Sequence, residues 1–322
     1  MTLQPRSAAQ VATVEVMPSP TRLERPTFLM AFPFSLSTDV PNNPWMQDLP
    51  SDRRQPDHRR AYNQFLEVYR FLSSEGLVYL LPAPASCGLQ DVVFTANLGV
   101  ILEHLTERDV AVLSRFTSEP RRGEAAIGLK FFRDLGYECH VPPAKFEGDA
   151  ELKHLHDNVY VGGYGIRSEP GTYDWMETQF GMRVVKLRLT DPYLYHLDCT
   201  VFPITREDTL LCTELYEPEE VDELARHTNI IDVSVEEAYN GICNSVRLSN
   251  TILNSSHIHE LRAGTEDYAL ELQKNRKLED IALRLAFEVN YFNLSEYHKS
   301  GALLSCMVMH LNRYSYNFKL LN

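Results

Sequence analysis

The chain has no CxxC pair: its six cysteines, Cys87, Cys139, Cys199, Cys212, Cys243 and Cys306, stand singly. That scatter argues against a zinc ribbon, and in a chain that reads as intracellular it favours free thiols over a disulfide frame. No apolar run approaches the roughly 20 residues needed by a membrane-spanning helix. The segment 1–26 lacks the hydrophobic centre of a secretory signal, so a cytoplasmic protein without a membrane partner is expected. Positive charge is also scarce, with 31 Lys and Arg against 44 Asp and Glu and a formal net charge of −13. This balance disfavours a sequence-independent grip on nucleic acid phosphates and leaves a small molecule as the expected partner. His154-Leu155-His156 and His257-Ile258-His259 have a metal-ligand spacing, but neither pair is accompanied by a characteristic third ligand, and both read as structural.

What is present is ordinary in bulk and informative in order. Of the 322 residues, 44% are hydrophobic and 23% charged, the balance of a folding globular chain. Residues 1–26, including Ala8, Ala9, Pro18 and Pro20, show no usable period and read as a flexible lead-in, followed by one α/β domain over 27–322.

Within that domain one pattern returns. Phe28–Phe32 reads as a buried strand. The run from Val40 to Met46, broken by Pro41 and Pro44, reads as a loop. Tyr62, Phe65, Leu66, Tyr69 and Leu72 recur at helical spacing over His58–Ser73, with Gly76 ending the helix before a strand at Val78–Leu81. A second pass places strands at Val92–Phe94, Val100–Leu102 and Val110–Leu113, a helix at Glu124–Leu135, and a strand at Tyr137–Val141. A third, strand-rich pass has Asn158–Gly162 and Arg183–Leu189. The fourth has a hairpin of Thr200–Ile204 and Thr209–Thr213, a helix Pro218–His227, and Ile230–Val233. The fifth has Ser245–Leu248 and Thr251–Leu253, the helix Thr265–Phe287, and Glu288–Leu294. A last strand spans Leu304–His310. Five repeats of element order predict short sheets set radially around an axis, with the last strand closing the ring against the first unit.

Several segments carry chemistry. His196 and Asp198, two residues apart before an apolar strand, project to one side of an extended backbone. Phe146-Glu147-Gly148-Asp149 sets two carboxylates around a glycine, the form of a loop that approaches a cation closely. Asp91 and Asn97 bracket the apolar run that ends at Phe94. Cys306 follows a glycine-led loop, Ser300 to Ser305; taken alone, a thiol among Val and Met neighbours reads as a core cysteine.

In order, Asn43-Pro44-Trp45-Met46, Asp91 with Phe94-Thr95-Ala96-Asn97, Leu113-Ser114-Arg115-Phe116, Phe146-Glu147-Gly148, Tyr164 to Glu169, Tyr195-His196-Leu197-Asp198, Cys243-Asn244-Ser245-Val246 and Gly301 to Cys306 resemble the guanidino-group-modifying (pentein) superfamily. Within it they are similar to bacterial arginine dihydrolases and dimethylargininase-like hydrolases. The resemblance implies a five-bladed, pseudo-symmetric α/β propeller and a hydrolase that needs no metal or cofactor. It further implies that Cys306 attacks the guanidinium carbon and that His196 moves the protons, with Glu147 completing the catalytic set. Asp91 and Asp198 would join Glu147 in gripping the guanidinium, Arg115 and Arg167 would suit the α-carboxylate, and Asn43 would belong to a covering loop. Asn97, where deiminases and amidinotransferases typically carry Asp, matches the dihydrolase pattern and implies conversion of arginine to ornithine, carbon dioxide and ammonia. A deiminase or dimethylargininase stopping at citrulline, an amidinotransferase and a non-catalytic binding module are the alternatives, and homo-oligomerisation is left open. The acidic motif departs from the family's by its short spacing from Glu147 to Asp149, and Ala302 replaces a second glycine.

Overall fold

The computed structural model describes residues 19–318. Residues 1–18 of the expected lead-in lie outside the described residues. Residues 19–26 are tied to the body of the fold: Pro20–Arg22 forms a 3-10 turn with Pro20 buried, and the Asn312 amide donates to the carbonyls of Pro20, Leu23 and Arg25 at 3.0–3.1 Å.

Among the described residues, fifteen strands form five three-stranded sheets. The first blade holds β1 (Thr27–Met30) and β2 (Leu77–Leu80). The second holds β3 (Gly99–Ile101), β4 (Val110–Leu113) and β5 (Glu138–His140), and the third β6 (Leu152–His156), β7 (Val159–Tyr164) and β8 (Arg183–Arg188). The fourth holds β9 (Val201–Pro203), β10 (Asp208–Leu211) and β11 (Asn229–Asp232), and the fifth β12 (Val246–Leu248), β13 (Thr251–Ser255) and β14 (Glu288–Phe292). In each blade the central strand pairs antiparallel on one side and parallel on the other. Parallel neighbours need a long crossover, supplied by the helices His58–Glu75, Glu124–Asp134, Pro170–Phe180, Pro218–Ala225 and Glu266–Arg284. The antiparallel partner of β1 comes from the end of the chain: β15 (Met309–His310) sets Phe28 opposite His310 and Leu29 opposite Met309. The ring expected from the repeated element order therefore closes as expected.

The crossover helices form where the sequence caps and stripes them. Asp57 accepts from the Arg60 N–H at 3.1 Å, the first turn of a helix whose Ala61, Phe65, Val68 and Leu72 are buried at helical spacing. Phe65 and Leu72 pack with Phe28, Val246, Leu248, Leu304 and Cys306, so the Cys306 segment is wedged between the first and fifth blades. Full burial of each such side chain contributes on the order of 2 kcal/mol.

Some elements differ from their sequence expectations. Val92–Phe94 is a turn, with the Phe94 N–H donating to the Asp91 carbonyl at 2.9 Å, and it leads into a 3-10 turn at Thr95–Asn97. Leu304–Met307 is a helical turn, and only Met309–His310 is strand. Both runs are apolar because they are buried at the centre of the ring, where periodicity cannot separate strand from turn. The Asn43 region also contains a short helix, Pro44–Asp48, capped by Asn43. Strand Leu152–His156 and helix Pro170–Phe180 are additions; Pro170 occupies the first helical turn, where its missing N–H costs nothing.

Candidate active site

The first strands of neighbouring blades approach one another, β3 against β15 and β6 against β9, so the loops entering them converge. Four of these loops end in a single helical turn: Thr95–Asn97 before β3, Gly148–Ala150 before β6, Leu197–Cys199 before β9 and Leu304–Met307 before β15. Each delivers a predicted residue, namely Asn97, Glu147, His196 with Asp198, and Cys306. Gly148 makes the convergence sterically feasible. Its φ is +70°, and a Cβ there would lie 2.5 Å from the Ala96 carbonyl oxygen and 2.8 Å from the Gly99 nitrogen.

Asn43, Asp91, Asn97, Arg167, His196 and Cys306 line one narrow cleft, together with Asn42, Phe94, Arg121, Tyr195, Ser300 and Ala302. Asn43 accepts from the Met46 N–H at 3.0 Å and donates to the Ser300 carbonyl at 2.9 Å, pinning the covering loop to the loop that carries Cys306. Gly301 (φ +69°) permits that approach, since a Cβ would meet the Asn43 Oδ1 at 2.8 Å.

Glu147 and Asp198 stand immediately behind the cleft. Glu147 Oε2 lies 2.7 Å from His196 Nε2 and 3.5 Å from Arg167 Nη1, while its Oε1 accepts from the Thr117 N–H at 3.1 Å. Burial would raise this carboxyl, but Arg167 and the bond to His196 outweigh it and hold it at about 2. An ionised carboxylate only accepts, so His196 Nε2 carries its proton and Nδ1 is the basic nitrogen. Burial lowers the His196 pKa against the opposing pull of Glu147, favouring the neutral ring. Asp198 Oδ2 accepts from Ser305 Oγ and lies 3.7 Å from Cys306 Sγ. Burial, with Asp198 second, pushes the Cys306 thiol up to about 12. The Asp91 carboxyl is raised by burial, opposed by Arg121 and by bonds from Gln90 and from Asn42 at 2.6 Å.

Because the folded-state pKa of Glu147 is depressed from the ordinary 4.5 to about 2, its stabilisation is present above pH 4.5 and is lost as pH falls through about 2. The loss is on the order of 3 kcal/mol. Unfolding free energies of the parent and of Glu147→Gln, measured by urea titration, should therefore converge over that window.

Arg115 is not in the cleft. It is exposed, its guanidinium bonds the Pro143 carbonyl, and it borders a separate depression, while its backbone bridges to Phe146. Arg121 faces the cleft instead, buried, with Nη1 on Asn97 Oδ1 at 3.0 Å and Nη2 on Glu124 at 2.7 Å. Three arginines lie within eight residues here, and which one turns inward depends on the loop's path; the available signal was the Arg121 to Glu124 spacing at the start of an amphipathic helix. Asp149 also turns away, to His310 at 3.1 Å and to Arg313. The second acid beneath the site is Glu151, which accepts from the Leu197 N–H at 3.2 Å and is pushed well up by burial and then by Glu147. Asn244, singled out in the sequence without a role, contacts both Cys306 and Ser305.

The chain is similar to known proteins over most of its length. The family described as N,N dimethylarginine dimethylhydrolase, eukaryotic, matches residues 31–313. The bifunctional arginine dihydrolase/ornithine cyclodeaminase AgrE of Nostoc sp. is 25% identical over 288 residues, 88% of this chain and 37% of that protein. This chain therefore spans little more than a third of that relative. The N(G),N(G)-dimethylarginine dimethylaminohydrolase of Mycobacterium tuberculosis is 32% identical over 157 residues, 48% of each chain. The crystal structure of the product-bound N-terminal domain of ArgZ, a cyanobacterial arginine dihydrolase, superposes with a TM-score of 0.76 at 25% identity, covering 89% of this chain and 97% of that one. With the match running from residue 31 to 313 over a closed ring of five blades, the chain belongs to the N,N-dimethylarginine dimethylhydrolase family and has the pentein fold.

Proposed function

We propose that this chain is a cysteine hydrolase of guanidino compounds, with arginine as substrate and ornithine, carbon dioxide and ammonia as products. The observation that carries the reading is one cleft lined by both Cys306 and a His196 whose Nε2 is tied to an ionised Glu147.

A guanidinium is planar, cationic and resonance-stabilised, so its hydrolysis needs carboxylates to hold it, a strong nucleophile and a proton for the departing amine. Asp91 faces the cleft, and Asp198 lies beside the sulfur. A bound cation favours ionised Asp91, and by its charge it also lowers the pKa of the Cys306 thiol, which burial holds high. Substrate thus generates its own nucleophile. The thiol proton passes to His196 Nδ1, the thiolate adds to the guanidinium carbon, Nδ1 gives that proton to the leaving nitrogen, and ammonia departs from a covalent thiouronium on Sγ. His196, again neutral, takes a proton from water as the water attacks that carbon, and the C–S bond breaks to release citrulline.

Arg167 is the residue best placed for the substrate α-carboxylate. Arg121 spends its donors on Glu124, Asn97 and the carbonyls of Asp91 and Phe94, whereas Arg167 gives one bond to the Asn42 carbonyl, pairs with Glu147 at 3.5 Å, stacks on Tyr195 at 4.7 Å and faces the cleft.

The second hydrolytic round rests on Asn97. A guanidinium only donates, so Arg121 on Oδ1 orients the Asn97 amide with its NH2 outward, one hydrogen toward the Glu147 carbonyl at 3.4 Å. The other is free for the ureido oxygen of citrulline, an acceptor that arginine lacks. Asn97→Asp removes that donor, and ornithine formation should fall at least about tenfold while citrulline accumulates. A second reading, hydrolysis of N-methylated arginine ending at citrulline, is favoured by the family match over 31–313. The test is incubation with arginine and, separately, with dimethylarginine, quantifying citrulline, ornithine, ammonia and dimethylamine. Ornithine from arginine supports the dihydrolase; citrulline alone, with dimethylamine from the methylated substrate, overturns it in favour of the second reading.

A further inference from the structure

Four of the five loops that enter first strands contribute residues to the proposed chemistry. The remaining loop, before β12, brings Asn244 against Cys306. Asn244 is buried, 3% exposed, and its amide makes two contacts: Oδ1 accepts from the Ser305 N–H at 2.8 Å, and Nδ2 lies 3.6 Å from Cys306 Sγ. The first contact decides the second. A backbone N–H can only donate, so the oxygen of the amide must face Ser305, and the NH2 must face the sulfur as a donor.

The loop that carries Asn244 is itself held from behind. Gly241, three residues earlier, accepts the Asn244 N–H at 3.1 Å, and the same Gly241 carbonyl accepts from the Asn254 amide at 2.9 Å. Asn254 also bonds Ser245 Oγ at 2.8 Å and receives Lys274 Nζ at 3.1 Å, which anchors the loop to the middle of the fifth blade and its crossover helix. The donor that reaches Cys306 is therefore mounted on a rigid element.

We propose that Asn244 is a positioning residue for Cys306, holding the Ser305–Cys306 backbone and donating the hydrogen bond that favours the thiolate. This deepens the proposed function, since it assigns how the same nucleophile is made. The sulfur lies between opposed groups: Asp198 Oδ2 at 3.7 Å repels a developing thiolate, and the Asn244 amide attracts it. Asn244 acts while the sulfur is anionic, before attack and again when the C–S bond breaks, and it neither gives nor takes a proton.

The test compares Asn244→Asp and Asn244→Ala with the parent by the rate of Cys306 alkylation with iodoacetamide from pH 7 to 9.5 without substrate, read at the Cys306 peptide by mass spectrometry. A rise of one pKa unit slows alkylation about threefold at fixed pH, once the greater nucleophilicity of the more basic thiolate is included. Alanine loses the donor and should slow alkylation about threefold; aspartate adds a charge beside the sulfur and should slow it tenfold or more. Thermal unfolding should rank the variants the other way, because aspartate keeps an acceptor for the Ser305 N–H and alanine does not. Alkylation that follows stability, with alanine the more affected variant, or that matches the parent in both, overturns the proposal. Because no substrate is present, this result stands apart from the product assay: an inactive parent would remove the proposed function and leave the thiol result readable.

Discussion

Replacing Cys306 with serine is expected to slow guanidino hydrolysis by about 10⁴-fold or more while substrate still binds. A serine hydroxyl is far harder to ionise than a thiol, and the charge of a bound guanidinium, sufficient to assist Cys306, leaves it protonated. The adjacent carboxylate is of no help, because Asp198 Oδ2 already takes the Ser305 hydroxyl. The change is nearly isosteric at a position 5% exposed, so the fold should be retained. Steady-state turnover and equilibrium binding of arginine, measured on the same preparation, check the result. Turnover equal to the parent would remove Cys306 from the mechanism, and binding without turnover in the parent itself would identify a non-catalytic module.

Arg121→Met should produce the largest loss of stability, about 3–5 kcal/mol. Arg121 and Glu124 are paired at 2.7 Å with side-chain exposures of 5% and 0%. Removing the guanidinium leaves Glu124, already pushed up to about 7 by burial despite its partner, buried without compensation beside Asp91 and Glu147. It also releases Asn97 Oδ1 and the carbonyls of Asp91 and Phe94, three groups at the edge of the cleft. The double variant Arg121→Met, Glu124→Leu should recover most of the stability, because the stranded Glu124 carboxyl is gone, yet little of the activity, because Asn97 is still unheld. Urea denaturation of parent, single and double variants gives the comparison; a double variant no more stable than the single one would show that the lost loop contacts, and not the stranded carboxylate, carry the cost.

The legibility of the site varied with how local its determinants were. Asp57 and the stripe from Ala61 to Leu72 sit next to one another in the chain, and the helix they specify lies where the spacing places it. The ring closure was legible because a strand was left over at the end of the repeat, and its Met309–His310 part pairs with the first strand. Val92–Phe94 and Leu304–Met307 were not legible as turns, since burial on all sides makes a turn as apolar as a strand.

Among the site residues, Asn43, Asp91, Asn97, Arg167, His196 and Cys306 meet in one cleft as the ordered motifs implied, with Glu147 and Asp198 directly behind it. Arg115 and Asp149 carry the right chemistry in the right segments and face elsewhere. By itself the sequence determined which residue types are available, the five-fold order of elements and the presence of a thiol, an imidazole and several carboxylates at loop positions. Only the tertiary structure decided which arginine turns inward, that Glu151 rather than Asp149 lies beneath His196 and Asp198, and that Asn244 donates to the sulfur. Those choices are made by contacts between loops tens to hundreds of residues apart, and the orientation of a side chain in a loop is set by the loops it meets.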